Sequence, residues 1–328
     1  MDFEHDLPRV RNMSKGRKTA DHFVHKAVMV NRVRKVSIND DLDKFTYQPS
    51  RHESQWLMSS LGEFYELRWF DDILRMVKGG KEASVYQVRA NTNVGVPYLA
   101  AKVYRPRQFR NLKKDHLYRE GRSQLENDGK VILDDGMLHA MQKKTSYGME
   151  LLHESWLGSE FKTMKILAEA GADIPKPYAS GKNAILMDFI GDEDAAAPSL
   201  NSIALSFTEA RELFQRVIFN IEICLEHRRI HADLSAYNIL YWEGRITLID
   251  FPQAIDPDEN HNAYAIFQRD VRRVCEYFTA QGVESNPERL AKSMWLARGR
   301  STAPEVDPHF LDPEKAEDRK AWEKQKQA

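Results

Sequence analysis

Apolar and polar positions alternate along the chain with two different periods. In "QWLMSSLGEFYELRWF" (55–70) the residues Trp56, Leu57, Ser60, Leu61 and Phe64 share one face, which predicts a helix. "ILRMV" (73–77), "SVYQVRA" (84–90) and "YLAAKVY" (98–104) read as strands. They are separated by "KGGKEA" and by "NTNVGVP", which carry turn residues. From Arg105 to about Tyr147 the signals are weak, and the length points to a flexible or functional segment. Helical spacing returns in "HESWLGSEFKTMKILAEAG" (153–171) through Leu157, Phe161, Met164 and Ala168, with Gly171 as the expected C-terminal cap. "PKPYASG" leads into the apolar strand "AILMDFIG" (184–191). The clearest helix begins at a capping-box pattern, Ser206 and Glu209. It buries Ala210, Leu213, Phe214, Val217, Ile218, Ile221, Cys224 and Leu225. "NILYWE" and "RITLID" flank Gly244 as a short hairpin, and "AIFQRDVRRVCEYF" (265–278) predicts a last long helix.

Strands with one helix thus precede a helix-rich half. That is the order of an α+β, two-lobed fold with a cleft between a small, mainly β N-lobe and a mainly helical C-lobe. The expected boundaries are an N-terminal extension over 1–50, a folded domain over 51–300, and a charged tail over 301–328. Within the domain the N-lobe covers about 51–187 and the C-lobe about 191–300.

Composition adds little to that outline. The 328 residues are 42% hydrophobic and 30% charged, with a net charge of -1, so the whole-molecule field argues neither for nor against nucleic acid. The two cysteines, Cys224 and Cys275, lie in helical apolar patterns and read as buried free thiols, which fits a reducing compartment. No run approaches a membrane span and the N-terminus is too polar for a secretory signal, so the expectation is a cytoplasmic protein without a membrane partner. Between Arg9 and Lys35 basic residues predominate, with only Asp21 opposing them. A basic arm for RNA or a ribosomal particle is the functional reading. A solvated extension is the plainer one and carries more weight, because Phe23 is the one Phe, Tyr or Trp interleaved with the charges.

The chemistry is concentrated in "RIHADLSAYNILYWEGRITLID" (229–250). There Asp233, Asn238 and Asp250 interrupt core-like strands. Phosphoryl transfer needs metal ions held against the phosphates, a carboxylate near the acceptor, a cation on the phosphates and a backbone cover. His231-Ala232-Asp233 with Asn238 five residues on follows a kinase catalytic-loop spacing, and Asp250 ends the next strand as a second hard-oxygen ligand for Mg2+ or Mn2+. The plain alternative is a turn whose Asp and Asn bond local backbone. Lys102, in an apolar strand after a strand–glycine-loop–strand unit, is placed to bind phosphates, and Glu160 on the following helix is its expected ion-pair partner. Gly79 and Gly80 permit close backbone approach, and Lys81 and Ser84 can reach phosphate directly.

Together these residues resemble the RIO family of atypical protein kinases. "GKEASVY" is similar to its phosphate loop, "HADLSAYNILY" to its catalytic loop and "LIDFPQAID" to its metal loop. "WLGSEFKTMKILAEAGADIPKPYA" is similar to its Glu-bearing helix and "ILMDFIG" to its hinge. The likeness runs from about residue 73 to 280 and lies nearer the branch without a winged helix. It implies an ATP- and Mg2+-dependent serine/threonine protein kinase that acts on a protein substrate or on itself. Asp233 would be the catalytic Asp, and Asn238 and Asp250 the metal ligands. Lys102 would bind the α/β-phosphates, with Glu160 orienting it. Gly79, Gly80, Lys81, Ser84 and Val85 would form the nucleotide loop, and Met187, Asp188, Phe189 and Ile190 the adenine wall. It also implies an aspartyl-phosphate on Asp250. Compared with ordinary protein kinases, Ala232 replaces the Arg of HRD, Pro252 the Gly of DFG, and no APE motif follows. Two other readings stand beside it. One is a small-molecule phosphotransferase of the aminoglycoside or choline kinase type, which usually carries His or Asp where Ser235 stands. The other is an ATPase switch in ribosome assembly.

Overall fold

A computed structural model describes residues 44–105, 124–125 and 130–302. The N-lobe opens with helix α1 (Arg51–Glu66), followed by β1 (Phe70–Gly79), β2 (Ala83–Ala90) and β3 (Tyr98–Tyr104). Then come α2 (Asp135–Gln142), α3 (Ser146–Glu169), β4 (Pro177–Ser180) and β5 (Ala184–Asp188). The five strands form one antiparallel sheet in the order β1-β2-β3-β5-β4. The C-lobe contributes α4 (Phe207–Glu226), the hairpin β6 (Ile239–Trp242) and β7 (Arg245–Leu248), α5 (Ala263–Ala280) and α6 (Pro287–Leu296). This is the expected α+β, two-lobed, kinase-like architecture. Among the described residues no helix is long and apolar enough to cross a membrane.

Strand alternation divides the sheet's side chains between two cores. Tyr86, Val88, Leu99, Ala101 and Val103 join Leu57, Leu61 and Phe64 of α1 on one face. Ala100, Tyr104, Ile185 and Met187 join Trp156, Leu157 and Phe161 of α3 on the other, in a core that continues through the C-lobe. The central strand β3 is therefore apolar almost throughout, because both its faces are covered.

Several elements depart from the sequence reading. The first helix ends at Glu66, and Phe70 already opens β1, which is longer than "ILRMV". Part of the predicted extension is folded onto the N-lobe. Phe45 is buried, Thr46 bonds the Asp72 carboxylate, and the Tyr47 amide donates to Ile73. The rest of that arm (1–43), with its basic residues, lies outside the described residues, as does the tail from 303.

Within the weakly patterned insert, residues 106–123 and 126–129 lie outside the described residues, and helix forms in the described part. Asp134 caps α2 and Thr145 caps α3, which begins at Ser146 rather than near His153. Gly148 hid this start, because glycine lowers helix propensity. Packing requires it there. A Cβ on Gly148 would fall 1.9 Å from the Ala140 carbonyl oxygen of α2.

Helix ends elsewhere follow local chemistry. At the end of α3 the Ala172 amide bonds Leu167 and the Gly171 amide bonds Ala168, a Schellman motif. Ser206 caps α4 by accepting from the Glu209 amide, but the capping box is only half made, because the Glu209 carboxylate instead accepts from Tyr241. The hairpin turns on Glu243 and Gly244, both at positive φ, as a type I′ turn needs. Cys224 and Cys275 are buried and free.

Candidate active site

The lobes meet at the cleft, and a chain of charges crosses it, buried at Glu160 and Lys102 and half-exposed at Asp250. Lys102 projects from β3 on the same face as Val85, its cross-strand neighbour on β2. Its Nζ lies 2.7 Å from Glu160 Oε1 on α3 and 2.6 Å from Asp250 Oδ1, two residues beyond β7. The expected Lys102–Glu160 pair is thus made, though Glu160 sits fully inside the core rather than at the edge of the stripe. Its second oxygen takes the Tyr104 hydroxyl, a partner the sequence reading missed. Tyr104 lies on the same strand face as Lys102, two residues on, and stacks edge-on against Trp156 at 4.9 Å. Burial, reinforced by Glu160, pushes the Tyr104 phenol well above its ordinary pKa.

Burial by itself would depress the Lys102 ammonium. The Asp250 and Glu160 carboxylates outweigh it and raise Lys102 well above the ordinary lysine value. Burial would likewise raise Asp250, but Lys102 beside it holds its carboxyl below the usual carboxylate range. Asp250 adopts φ 75°, a left-handed conformation that Asp tolerates better than most residues, and is thereby turned toward the lysine.

The other half of the site is the loop before β6. Asn238, in a 3-10 turn over Ala236–Asn238, donates from Nδ2 to the Asp233 carbonyl (2.9 Å) and to Asp233 Oδ2 (3.3 Å). That leaves Asn238 Oδ1 free of this bracket. His231 ties the two acidic segments together. Its Nδ1 accepts from the Asp233 amide (3.3 Å), so its proton lies on Nε2, which donates to the Ile249 carbonyl (3.0 Å). Its ring also packs on Phe251 at 4.7 Å between centroids.

Helix α5 supports this loop with residues the sequence reading did not single out. Arg269 donates to the Ala232 carbonyl and to Asp270 Oδ1, while Arg273 Nη1 reaches Asp233 Oδ1 at 3.0 Å. Burial raises the Asp270 carboxyl above its ordinary value. The only signal in the sequence was an arginine-rich face on an otherwise amphipathic helix.

The glycine loop and hinge are placed less uniformly. Gly79 ends β1, and Gly80 donates its amide to Ala83 at 2.9 Å, closing so tightly that a Cβ there would lie 2.8 Å from the Ala83 oxygen. Lys81 is exposed at the tip. Ser84 does not join the site through its side chain. It pairs with Val103 on the α1 side of the sheet and reaches Tyr86, because strand alternation sends it away from Val85. Met187 is buried against the cleft-side core, whereas the Asp188 carboxylate is spent on Tyr178 (2.8 Å) and the Lys176 amide (2.9 Å). Phe189 packs edge-on to Tyr98, and the Ile190 carbonyl accepts from Ala197.

The donor set fits a nucleotide with a hard divalent ion. Asn238 and Asp250 offer two oxygen ligands, and among the described residues no group of three or more His, Cys, Asp and Glu could hold a metal unaided. Such a pair suits Mg2+, which completes its shell with phosphates and water. Gly80 lets the loop between β1 and β2 close on the Ala83 carbonyl, and Lys102 would supply the cation.

The chain is similar to known proteins over the stretch that contains these residues. The family model described as the RIO domain matches residues 84–290. The chain is 27% identical over 223 residues to the RIO-type serine/threonine-protein kinase Rio1 of Haloferax volcanii, covering 65% of this chain and 66% of that protein. It is 30% identical over 135 residues to the Rio1 of Thermoplasma acidophilum, covering 41% and 69%. Against the human serine/threonine-protein kinase RIO1 it is 32% identical over 131 residues, covering 40% and 23%. The matched stretch therefore spans about two thirds of the archaeal relatives and under a quarter of the human one. With the family model covering more than half of its length, the chain belongs to the RIO family of atypical protein kinases.

Proposed function

We propose that this protein transfers the γ-phosphoryl group of ATP, with Mg2+ or Mn2+, to a serine or threonine hydroxyl of a protein substrate or of itself. The observation that carries the reading is Lys102 held between Glu160 and Asp250, with Asp233 bracketed by Asn238 and its loop tied to the Asp250 segment through His231. Bound ATP with its metal supplies the transferable group and neutralises its developing charge. Lys102 would draw the α/β-phosphates while Glu160 fixes its position. Asn238 Oδ1 and Asp250 would hold the metal, and Asp233 would orient the acceptor hydroxyl and take its proton. The kinase domain is assigned to 51–300, with residues 44–50 packed onto its N-lobe. Radiolabelled γ-phosphate transfer should fall about a hundredfold or more in Asp233→Ala and in Asp250→Ala. Undiminished transfer in both variants would refute the assignment.

A second reading, ATP hydrolysis through an aspartyl-phosphate, is favoured by one feature. The Asp250 side chain is 42% exposed although its lysine partner is buried. Acid-labile label on Asp250 after incubation with ATP supports it, and acid-stable phosphoserine supports the kinase. Rapid turnover of aminoglycosides or amino alcohols would support the small-molecule alternative instead.

A further inference from the structure

Asp233 is held from two sides before any acceptor arrives. Asn238 Nδ2 takes Oδ2 and Arg273 Nη1 takes Oδ1. The second contact is unusual in its setting. The Arg273 side chain is 40% exposed and the Asp233 side chain 47%, so their pair stands at the open mouth of the site. Exposed ion pairs contribute little to stability, about 1 kcal/mol at most, so folding does not account for an arginine at this position. Arg269, Arg272 and Arg273 are spaced i, i+3 and i+4 and share one face of α5. Arg269 is committed to the Ala232 carbonyl and Asp270, and Arg272 lies 3.9 Å from Glu288. Arg273 alone of the three reaches the catalytic carboxylate, and it does so through one guanidinium nitrogen.

We propose that Arg273 is the acceptor-recognition residue of this site. One nitrogen steadies Asp233, and the rest of the planar fork binds an anionic group, a carboxylate or a phosphate, flanking the acceptor hydroxyl. The inference rests on the kinase reading above. An acceptor hydroxyl that reaches Asp233 brings its neighbouring residues against Arg273 and strips water from the guanidinium. A lysine or arginine there meets a like charge in a partly desolvated mouth. A carboxylate or phosphate completes the fork, which suits bidentate oxyanions. The preferred protein substrate is therefore a serine or threonine next to Asp, Glu or an already phosphorylated residue.

The test compares serine peptides that differ only at the residue flanking the acceptor, which is Asp, phosphoserine, Asn or Lys, with the full-length protein and its R273K and R273Q variants. The wild type should favour the Asp peptide over the Asn peptide about tenfold in kcat/KM, mainly through KM, and disfavour the Lys peptide. R273K should keep the sign with a smaller ratio. R273Q, with its nucleotide-induced rise in Tm preserved, should show a ratio near one. A phosphoserine peptide outperforming the Asp peptide marks phosphate as the favoured anion. Transfer by the wild type without charge preference, or a preference undiminished in R273Q, overturns the inference and leaves the kinase reading standing. No transfer to any peptide together with no ATP hydrolysis overturns both.

Discussion

At the scale of single residues, the site depends on charges that exist only in each other's company. Glu160 is buried, and its carboxylate is paired with the Lys102 ammonium. Lys102→Met should therefore cost about 3–5 kcal/mol in denaturant unfolding, and Lys102→Met/Glu160→Gln should recover part of it, because a buried unpaired charge costs more than a neutral pair. Recovery of nothing would mean that the pair does not carry the coupling. The titrations set the pH range. Asp250 is depressed in the fold, so its contribution is complete above its ordinary 3.8 and is lost as pH falls through the lowered value. Lys102 is raised, so its contribution is complete below 10.5 and is lost as pH rises through the higher value. The stability gap between wild type and Lys102→Met should thus be flat from about pH 5 to about pH 9 and shrink below about pH 4. Lys102, Glu160, Asp233, Asn238 and Asp250 were legible in the sequence because each sits at a fixed offset within a local pattern. Tyr104 and Arg273 were not. They reach the site from a strand and a helix whose mutual placement only the folded chain defines. Ser84 was misplaced because its spacing in the loop said nothing about which face of β2 it would take.

Elements were legible where their period was clean and both ends carried a signal. Helix α4 has its Ser206 cap and unbroken stripe, and α3 has its Schellman end. Helix α2 and the first turns of α3 were hidden because Ile132, Met141 and Leu151 form a core too small to leave a long periodic trace. Gly148 is the joint of that small unit. Gly148→Ala should destabilise the protein by about 1–3 kcal/mol and raise proteolytic cleavage around α2, since the added methyl meets backbone that cannot turn aside. Cleavage unchanged from wild type would show that α2 and α3 can separate at no cost. At the other end of the cleft, α5 braces the catalytic loop through Arg269 and the Ala232 carbonyl. The φ of 65° at Ala232 places that carbonyl, and the alanine side chain is wholly buried.

Across the whole molecule, the ties that join the lobes include a clamp beside the hinge and the charged chain in the cleft. Gln87 on β2 donates to the Asp192 carbonyl (3.0 Å), and Arg75 on β1, itself bonded to Gln87 (2.6 Å), donates to the Asp194 carbonyl (2.5 Å). Gln87→Leu removes the shared member of this clamp. It should weaken ATP binding about fivefold, corresponding to about 1 kcal/mol of lost closure, with a smaller effect on kcat. An unchanged nucleotide affinity would mean that the clamp does not hold the lobes. The second tie is the Glu160–Lys102–Asp250 chain, and it bears on how the site would answer covalent inhibitors. Electrophiles aimed at a lysine need its nitrogen lone pair, and here two carboxylates enclose that nitrogen and hold its proton more tightly than in an ordinary lysine. Amine-directed warheads should label this cleft slowly, and selective ligands will need to gain their hold from the hinge and from the half-exposed Asp250 instead.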